Sequence, residues 1–286
     1  AYDKVIRTQD EFEELIGSSD WLGATSVALV GQFTYDAANN RGIKIPSTVK
    51  QIHGFNGAKI TITNFEYDEN TAKGGLWYDE LPTTLDYSIR DLEVNCAGRR
   101  TGAGSNGFGF RNCTNLTNCK GTGSGTDGGG FYYCTNLTNC TGTGTGDSTG
   151  YGFYNCSNLT NCTGTGTGDS GGYGFRHCTN LTNSSGSGIG IESSGYGFSD
   201  CKNLTNCTGV GLGIRTGTFG YGFYNVTNAS NCRDGGSSTD MWGGINENIG
   251  IPAYDKVIRT QDEFNALIGS SDWLGAKSVA IVGQFT

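Results

Sequence analysis

The chain has 286 residues, with 49 glycines, 3 prolines, 11 cysteines and an apolar fraction of 35%. Its net charge is −8 and no basic run is longer than Arg99-Arg100, which argues against nucleic-acid binding by phosphate neutralisation. No stretch of about 18 apolar residues occurs, so no membrane insertion is predicted. Glycine and threonine at this density usually indicate disorder, but here they stand in register with Phe, Leu and Cys, which is typical of ordered arrays.

The two ends of the chain have nearly the same sequence. Residues 1–34 and 253–286 are identical at 30 of 34 positions, and the offset between them is 252 residues (253 minus 1). This predicts one unit of a tandem array and the start of the next; two cap modules on one body are the alternative. The predicted organisation is a capping helix region at 1–23, a parallel β-helix at 24–232 (irregular coils 24–100, regular coils 101–232), a joint at 233–252 and the start of the next unit at 253–286.

A short amphipathic helix is predicted near the N-terminus. Thr8 and Glu11 have capping-box spacing, Phe12 and Leu15 then share one helical face with Ile16, and Gly17 can end the helix. Such a helix suits a cap over an open end of a sheet. The next predicted elements are strands at 27–33, 42–45, 58–65 and 89–95, with a loop or side excursion at 67–84.

A shorter repeat fills the middle of the chain. Aligned on leucine, its positions are spaced by 21, 22, 22 and 23 residues, with Leu92 before the series and Ala229 after it. A period near 22 residues predicts one coil of a solenoid, in which each coil buries its apolar side against its neighbours. The leucines are Leu116, Leu137, Leu159, Leu181 and Leu204.

Equivalent positions of successive coils should form columns at the spacing of neighbouring strands. Besides the leucines, we predict three inward columns. They are Phe110, Phe131, Phe153, Phe175, Phe198 and Phe223; Cys113, Cys134, Cys156, Cys178, Cys201 and Val226; and Cys119, Cys140, Cys162, Ser184, Cys207 and Cys232. An aromatic ladder two places before the phenylalanines shares their parity, which allows the same inward direction: Phe108, Tyr151, Tyr173, Tyr196 and Tyr221.

Two asparagine columns run beside these positions and are predicted to mark corners of the coil, because asparagine tolerates turn conformations and its amide can bond the amides above and below. One column contains Asn115 and Asn158, the other Asn118 and Asn161. Many of these residues are also N-x-S/T sequons. An inward hydrogen-bonded ladder is the favoured interpretation, and glycosylation is the alternative.

The segment at 163–168 alternates threonine with glycine and predicts a strand. We expect its threonines to face solvent and its glycines to face inward, opposite the Phe and Leu columns, because glycine in a strand indicates close approach of another chain segment. Such threonine rows also occur on ice-binding solenoids, but Val210 and Leu212 interrupt them here.

The eleven cysteines are an odd number, and Ser184 and Val226 each replace one member of a within-coil pair while the other remains. We therefore interpret the columns as buried thiols. Disulfides between neighbouring coils are the alternative, since adjacent parallel strands lie within disulfide range. A tetrahedral metal site is not predicted, because the thiols are spread along a rod.

Two passages carry a resemblance to a known superfamily. SVALVGQF…IKIPSTVKQIHGFNGAKITITNF and GFGFRNCTNLTNC resemble right-handed parallel β-helix proteins of the pectin-lyase-like superfamily, over roughly 24–232. The resemblance implies an all-β solenoid and admits polysaccharide lyases and hydrolases, phage tail spikes and adhesins. The segments IPSTVKQI and GFYNCSNLTN are also similar to treponemal-type leucine-rich repeats of bacterial surface proteins, although those have Val and Ile where this chain has Gly and Thr.

Enzymes of that superfamily need clustered carboxylates or a calcium cluster with a basic residue. The only histidines, His53 and His177, do not look like bases with an orienting partner. A loose acidic series is a weak calcium candidate: Asp127, Asp147, Asp169 and Glu192. The acidic residues of the early loop are another weak site: Asp68, Glu69, Asp79 and Glu80.

These observations predict a structural or adhesive repeat unit of a secreted, cell-surface or virion fibre, either a surface adhesin or a phage tail protein. No enzymatic activity and no cofactor are predicted. The expected partners are neighbouring repeat units of the same chain and a surface glycan or host receptor. The alternative is a carbohydrate-active or carbohydrate-binding β-helix, with Trp77, Tyr78 and Trp242 as exposed aromatic residues that stack on sugars.

Overall fold

The computed structural model describes residues 1–37, 42–65, 75–79, 81–82, 84, 86–98, 106–215, 218–234, 256–258, 261–268 and 279–281. Within these residues, 23 strands join in one sheet that coils on itself for about nine turns, and every pairing between named strands is parallel. The all-β parallel solenoid predicted from the sequence is therefore confirmed.

The elements follow the chain in this order: β1 Lys4–Ile6, α1 Gln9–Gly17, β2 Ser26–Asp36, β3 Ile43–Lys44, β4 Gln51–Phe65, β5 Leu76–Trp77, β6 Ser88–Arg90, β7 Glu93–Gly98, β8 Phe108–Arg111, β9 Thr114–Thr117, β10 Lys120–Tyr132, β11 Thr135–Thr138, β12 Thr141–Tyr154, β13 Ser157–Thr160, β14 Thr163–Gly168, β15 Gly171–Arg176, β16 Thr179–Thr182, β17 Ser185–Gly190, β18 Gly195–Ser199, β19 Lys202–Thr205, β20 Thr208–Gly213, β21 Gly220–Tyr224, β22 Thr227–Ser230, β23 Arg233–Asp234, β24 Lys256–Ile258, α2 Gln261–Ile268 and β25 Val279–Ile281.

Each regular coil contributes three strand segments, and like segments stack on like. The Thr–Gly stack contains β14, β17 and β20; the aromatic stack contains β15, β18 and β21; the leucine stack contains β16, β19 and β22. The leucine column continues to Ala229, as predicted, but not to Leu92. Ile89 pairs with Leu116 instead, and the backbone of Leu92 accepts from Lys120, which places Leu92 on the second cysteine column.

The helix α1 begins as predicted. The Thr8 hydroxyl accepts from the Glu11 amide, and the Glu11 carboxylate accepts from the Thr8 amide, which completes a capping box. Phe12 and Leu15 are fully buried, and the Phe12 ring stacks on Phe33 of β2 at 4.8 Å. The predicted capping region also contributes β1, whose register with β2 pairs Lys4 with Val27.

The predicted inward columns of Phe, Cys and Leu are confirmed. The six phenylalanines are fully buried and stack along the axis with centroids 4.7–5.1 Å apart. The aromatic ladder before them is different, because Tyr151, Tyr173 and Tyr196 are only half-buried. Gly152 and Phe153 are both buried, so the alternation of sides breaks between Tyr151 and Phe153.

The glycine face of the Thr–Gly stack is buried, and its threonines face outward, as predicted. It packs mainly against the backbone of the aromatic strand rather than against rings. A Cβ added at Gly144 would lie 2.2 Å from the carbonyl oxygen of Tyr151, while a Cβ at Gly142 would meet both the Gly152 carbonyl and the Phe153 ring. Two backbones thus lie in direct contact across the regular coils, which requires glycine.

The asparagine columns do mark corners, but they face solvent rather than the interior. Asn158 and Asn161 have φ of +58° and +54° and are exposed. Asparagine is enriched in this left-handed region. The Nδ2 atom of Asn158 donates to Oδ1 of Asn136 at 2.9 Å, and the same bond repeats up both columns. The nitrogen that a glycan would require is therefore engaged in a hydrogen-bonded ladder.

The second copy of the N-terminal sequence repeats the backbone of the first. Lys256 pairs with Val279 in β24 and β25, as Lys4 pairs with Val27 in β1 and β2. The helix α2 begins at Gln261, which is the counterpart of Gln9. No helix in the described part of the chain is long and apolar enough to cross a membrane.

Candidate functional site

Two of the three residues expected to stack on sugars, Trp77 and Tyr78, are not exposed. Trp77 lies in β5 and Tyr78 follows it, so part of the predicted loop belongs to the sheet. Their exposed fractions are 3% and 2%, and the Tyr78 hydroxyl donates to the Val49 carbonyl at 3.0 Å. Both residues are therefore core residues, and the expectation of exposure was wrong. Trp242 lies outside the described residues.

A cavity of about 860 Å³ nevertheless opens beside Trp77. Its walls are the end of α1, the end of β2, the β3 segment, and β5 with the residues that follow it. Lys44 forms an ion pair with Asp79, and its ammonium lies 5.8 Å from the centre of the Trp77 ring. Glu13 and Asp36 also line the cavity. One cation, three carboxylates and an aromatic wall thus converge on one opening of ligand size.

The predicted acidic series does not form one column. A register shift after Gly125 pairs Asp127 with Thr149, so Asp127 is out of step with Asp147. Asp147 and Asp169 are exposed, while Glu192 pairs with Arg215. Among the described residues, no group of three His, Cys, Asp or Glu side chains could hold a metal ion. Of the early acidic residues, Asp79 pairs with Lys44; Asp68, Glu69 and Glu80 lie outside the described residues.

His53 has the orienting partner that sequence reasoning did not find. Its Nε2 lies 2.9 Å from the Asp91 carboxylate, and its Nδ1 lies 2.5 Å from the Tyr2 hydroxyl. Arg90 also contacts that hydroxyl. The contact arises from strand pairing, which sets His53 in register with Arg90, next to Asp91, in neighbouring coils. Because both ring nitrogens are occupied, the cluster joins three coils, and neither nitrogen is free to take a proton from a substrate.

A strip of half-buried tyrosines, with Arg111 and Arg176 beside them, follows one outer face of the regular coils. Tyr151, Tyr173 and Tyr196 stack face to face, with centroids 5.5 and 4.9 Å apart. The Arg176 guanidinium lies 4.6 Å from the Tyr173 ring centre. Burial raises the pKa of all three hydroxyl groups. Stacking covers the ring faces, so the strip presents ring edges and hydroxyl groups. His177 is exposed beside it, and its ring contacts Tyr154 edge-on.

All eleven cysteines are free, and ten of them are buried. A column thiol bonds the carbonyl two residues before it and a carbonyl of the preceding coil; for Cys156 these are Tyr154 at 3.4 Å and Phe131 at 3.7 Å. Burial raises the pKa of Cys96 to about 12, since a thiolate there would lose its water. Burial is also the largest cause that raises the pKa of Cys113 and Cys156.

Comparisons with known proteins add one distant structure. No protein-family model matches the sequence, and no curated protein matches it. Among solved structures, the chain is similar to the Azotobacter vinelandii mannuronan C-5 epimerase AlgE4 A-module, at 12% identity, over 82% of this chain and 74% of that chain, with a TM-score of 0.29. The class of this protein, an all-parallel β-solenoid, therefore rests on its own strand pairing.

Proposed function

We propose that this chain is a structural and adhesive unit of a longer rod built from tandem 252-residue repeats. The observation that carries the proposal is the repeated cap. The strand pairing Lys4 with Val27 recurs as Lys256 with Val279, and the helix between the strands recurs with its start at the same place. A β-solenoid grows only along its axis, because each coil contacts only its neighbours.

The rod would belong to a secreted protein, a cell surface or a virion, as either an adhesin or a tail fibre. Its first partners are the adjoining units, and its outward partner is a surface glycan or host receptor. The proposed role is non-enzymatic, and both ring nitrogens of His53 already have partners in Asp91 and Tyr2.

Particle length tests the rod. About nine coils at a strand spacing of about 4.8 Å make a unit about 43 Å long. A chain with two complete units, viewed by electron microscopy and small-angle scattering, should exceed a one-unit chain by about that length at constant cross-section. A two-unit chain of greater cross-section and unchanged length would contradict the proposal. In the control, Leu267→Asp places a charge at a fully buried position of the second cap and should break the rod into flexibly joined beads.

A carbohydrate-binding role is the second candidate, and the cavity beside Trp77 favours it. The ion-paired side chains of Lys44 and Asp79 border a cavity of ligand size and offer the paired hydrogen bonds that sugars use, although the Trp77 ring itself is buried. Glycan-array binding that is lost in Lys44→Ala would support it. Lys50→Ala is the matched control, because Lys50 makes a similar ion pair with Asp86 and a similar contact with Tyr87 away from the cavity. Equal glycan binding by both variants would exclude the cavity as the binding site. Cleavage in a screen of polysaccharides would instead indicate enzymatic activity.

A further inference from the structure

The last two members of the second cysteine column differ from the rest. Cys207 precedes β20 and Cys232 precedes β23, and the Arg233 amide donates to the Cys207 carbonyl at 2.8 Å. Cys207 is buried, whereas Cys232 is the one cysteine of the eleven that is partly exposed. Ser184 occupies the coil between Cys162 and Cys207, so the last two thiols form an isolated pair.

The surroundings of this pair favour reaction at one sulfur. The neighbouring Cys207 side chain is the largest cause that lowers the pKa of Cys232 to about 7. Burial opposes the shift but does not cancel it. The thiolate is the nucleophile in disulfide exchange, and exchange also requires access for the oxidant. Cys113 and Cys156, by contrast, are buried, so a disulfide in solution has no access to their sulfur atoms.

The register also suits a covalent bond. Thr208 pairs with Arg233, so the residues immediately before them, Cys207 and Cys232, lie side by side on adjacent parallel coils. Neighbouring strands are about 4.8 Å apart, which is within the Cα separation that a disulfide spans.

We propose that Cys232 and Cys207 form a thiol–disulfide exchange site for small disulfides such as oxidised glutathione, and that its product staples the last described coil to the coil before it. This inference is independent of the rod and of carbohydrate binding, because it concerns only the chemistry of these two side chains.

The reaction balances in two steps. The Cys232 thiolate attacks one sulfur of the small disulfide; that S–S bond breaks, a mixed disulfide forms on Cys232, and the first thiol leaves and takes up a proton. Cys207 then loses its proton to water and attacks the Cys232 sulfur. The second small thiol leaves and is protonated, and the Cys207–Cys232 bond remains. The two protein thiols are oxidised by two electrons, and one small disulfide is reduced to two thiols.

The structural consequence falls at the end of the solenoid. Among the described residues, β23 pairs with β20 through only two residue pairs, Thr208 with Arg233 and Gly209 with Asp234. A Cys207–Cys232 disulfide immediately before β23 would hold this short strand in register with β20. The strength of the coil that leads into residues 235–252 would then depend on the thiol–disulfide balance of the surroundings.

Intact mass and peptide mapping of the whole 286-residue chain test the proposal. With oxidised glutathione at pH 7.5, the wild type should lose two hydrogens and show a single Cys207–Cys232 crosslink. Cys207→Ser should stop as a glutathione adduct on Cys232, because no resolving thiol remains. Ser184 shows that this column accepts serine, with its hydroxyl donating to the Thr182 carbonyl at 3.1 Å, so the variant should fold. Cys140→Ser, one coil from an equivalent buried neighbour, is the matched control and should oxidise like the wild type.

Alkylation rates against pH give a second readout that needs no oxidant. Iodoacetamide should modify Cys232 first, with an apparent pKa near 7. Cys207→Ser retains a hydroxyl donor and should keep a lowered pKa at Cys232, whereas Cys207→Ala should return that pKa toward its ordinary value of 9.0, which at pH 7 reduces the thiolate fraction by about fiftyfold. A Cys232 that reacts no faster than the buried thiols, or a crosslink between other cysteines, would overturn the proposal.

Discussion

The early coils and the regular coils fill the same interior position in opposite ways. One inward column runs through Tyr35, Ile62, Cys96, Gly123 and Gly144, each paired with the next. In the early coils this column supplies apolar side chains, so the walls are held apart. In the regular coils the side chain is absent and the backbones touch. The same sheet thus encloses two kinds of interior. The early coils are filled by side chains from both walls, whereas in the regular coils the Phe, Cys and Leu side chains lie beside a direct contact between two backbones.

The largest expected effect is the removal of a ring from the regular coils. Phe153→Ala should reduce the free energy of unfolding by about 3–5 kcal/mol, because the ring is fully buried between two stacked neighbours at 4.8 and 4.7 Å. Urea unfolding measures the loss. A loss below about 1 kcal/mol would mean that the phenylalanine column does not carry the core. Tyr173→Ala on the half-buried strip is the control and should cost less.

The glycine contact comes next. Gly144→Ala should cost about 1–3 kcal/mol, because its new methyl group would meet backbone oxygens on both sides. Cys96→Ala is a matched change in the same column, since it produces the same side chain in a coil that has room for one. It should cost about 1 kcal/mol for the buried sulfur that is lost. Equal losses would mean that the two regions do not differ in wall spacing.

The asparagine columns at the corners of the coil should give a smaller difference in stability between variants. Asn158→Ala should lose about 2 kcal/mol, from a left-handed backbone without asparagine and from broken ladder bonds. Asn158→Gly loses the same bonds but accepts the positive φ, so it should lose about 1 kcal/mol less. Thermal unfolding of the two variants side by side measures the gap. The absence of a gap would remove backbone conformation as the reason for asparagine.

The smallest expected effect is the loss of folding free energy at alkaline pH that comes from ionisation of the single buried thiol of Cys96. The folded pKa of Cys96 is raised to about 12 from an ordinary value of 9.0, so its contribution is complete below pH 9 and is lost as pH rises toward 12. At pH 10 the loss is about 1 kcal/mol for this thiol. Denaturant midpoints from pH 8 to 11 should therefore fall less steeply in Cys96→Ala than in the wild type. A Cys96→Ala midpoint that falls as steeply as the wild type would exclude this thiol as a source of the slope.

The sequence alone determined the coil length, the cap helix and the inward columns of Phe, Leu and Cys, because a strict period near 22 places like residues atop one another and like residues pack alike. The burial of Trp77 is a feature that the sequence did not determine. Its neighbourhood resembles a polar loop, yet long-range pairing of β5 with β3 and β8 buries it.

Tertiary structure also decided the direction of the tyrosine ladder, the place of Leu92 and the partners of His53. Tyr151 faces partly outward because both Gly152 and Phe153 turn inward, which period-two reasoning cannot foresee. The column that Leu92 joins and the partners of His53 are set by the register between the irregular early coils. A shift of one residue in that register would move every side chain of the strand to the other face. Local pattern therefore set the contents of each coil, while contacts between coils set which side chains meet.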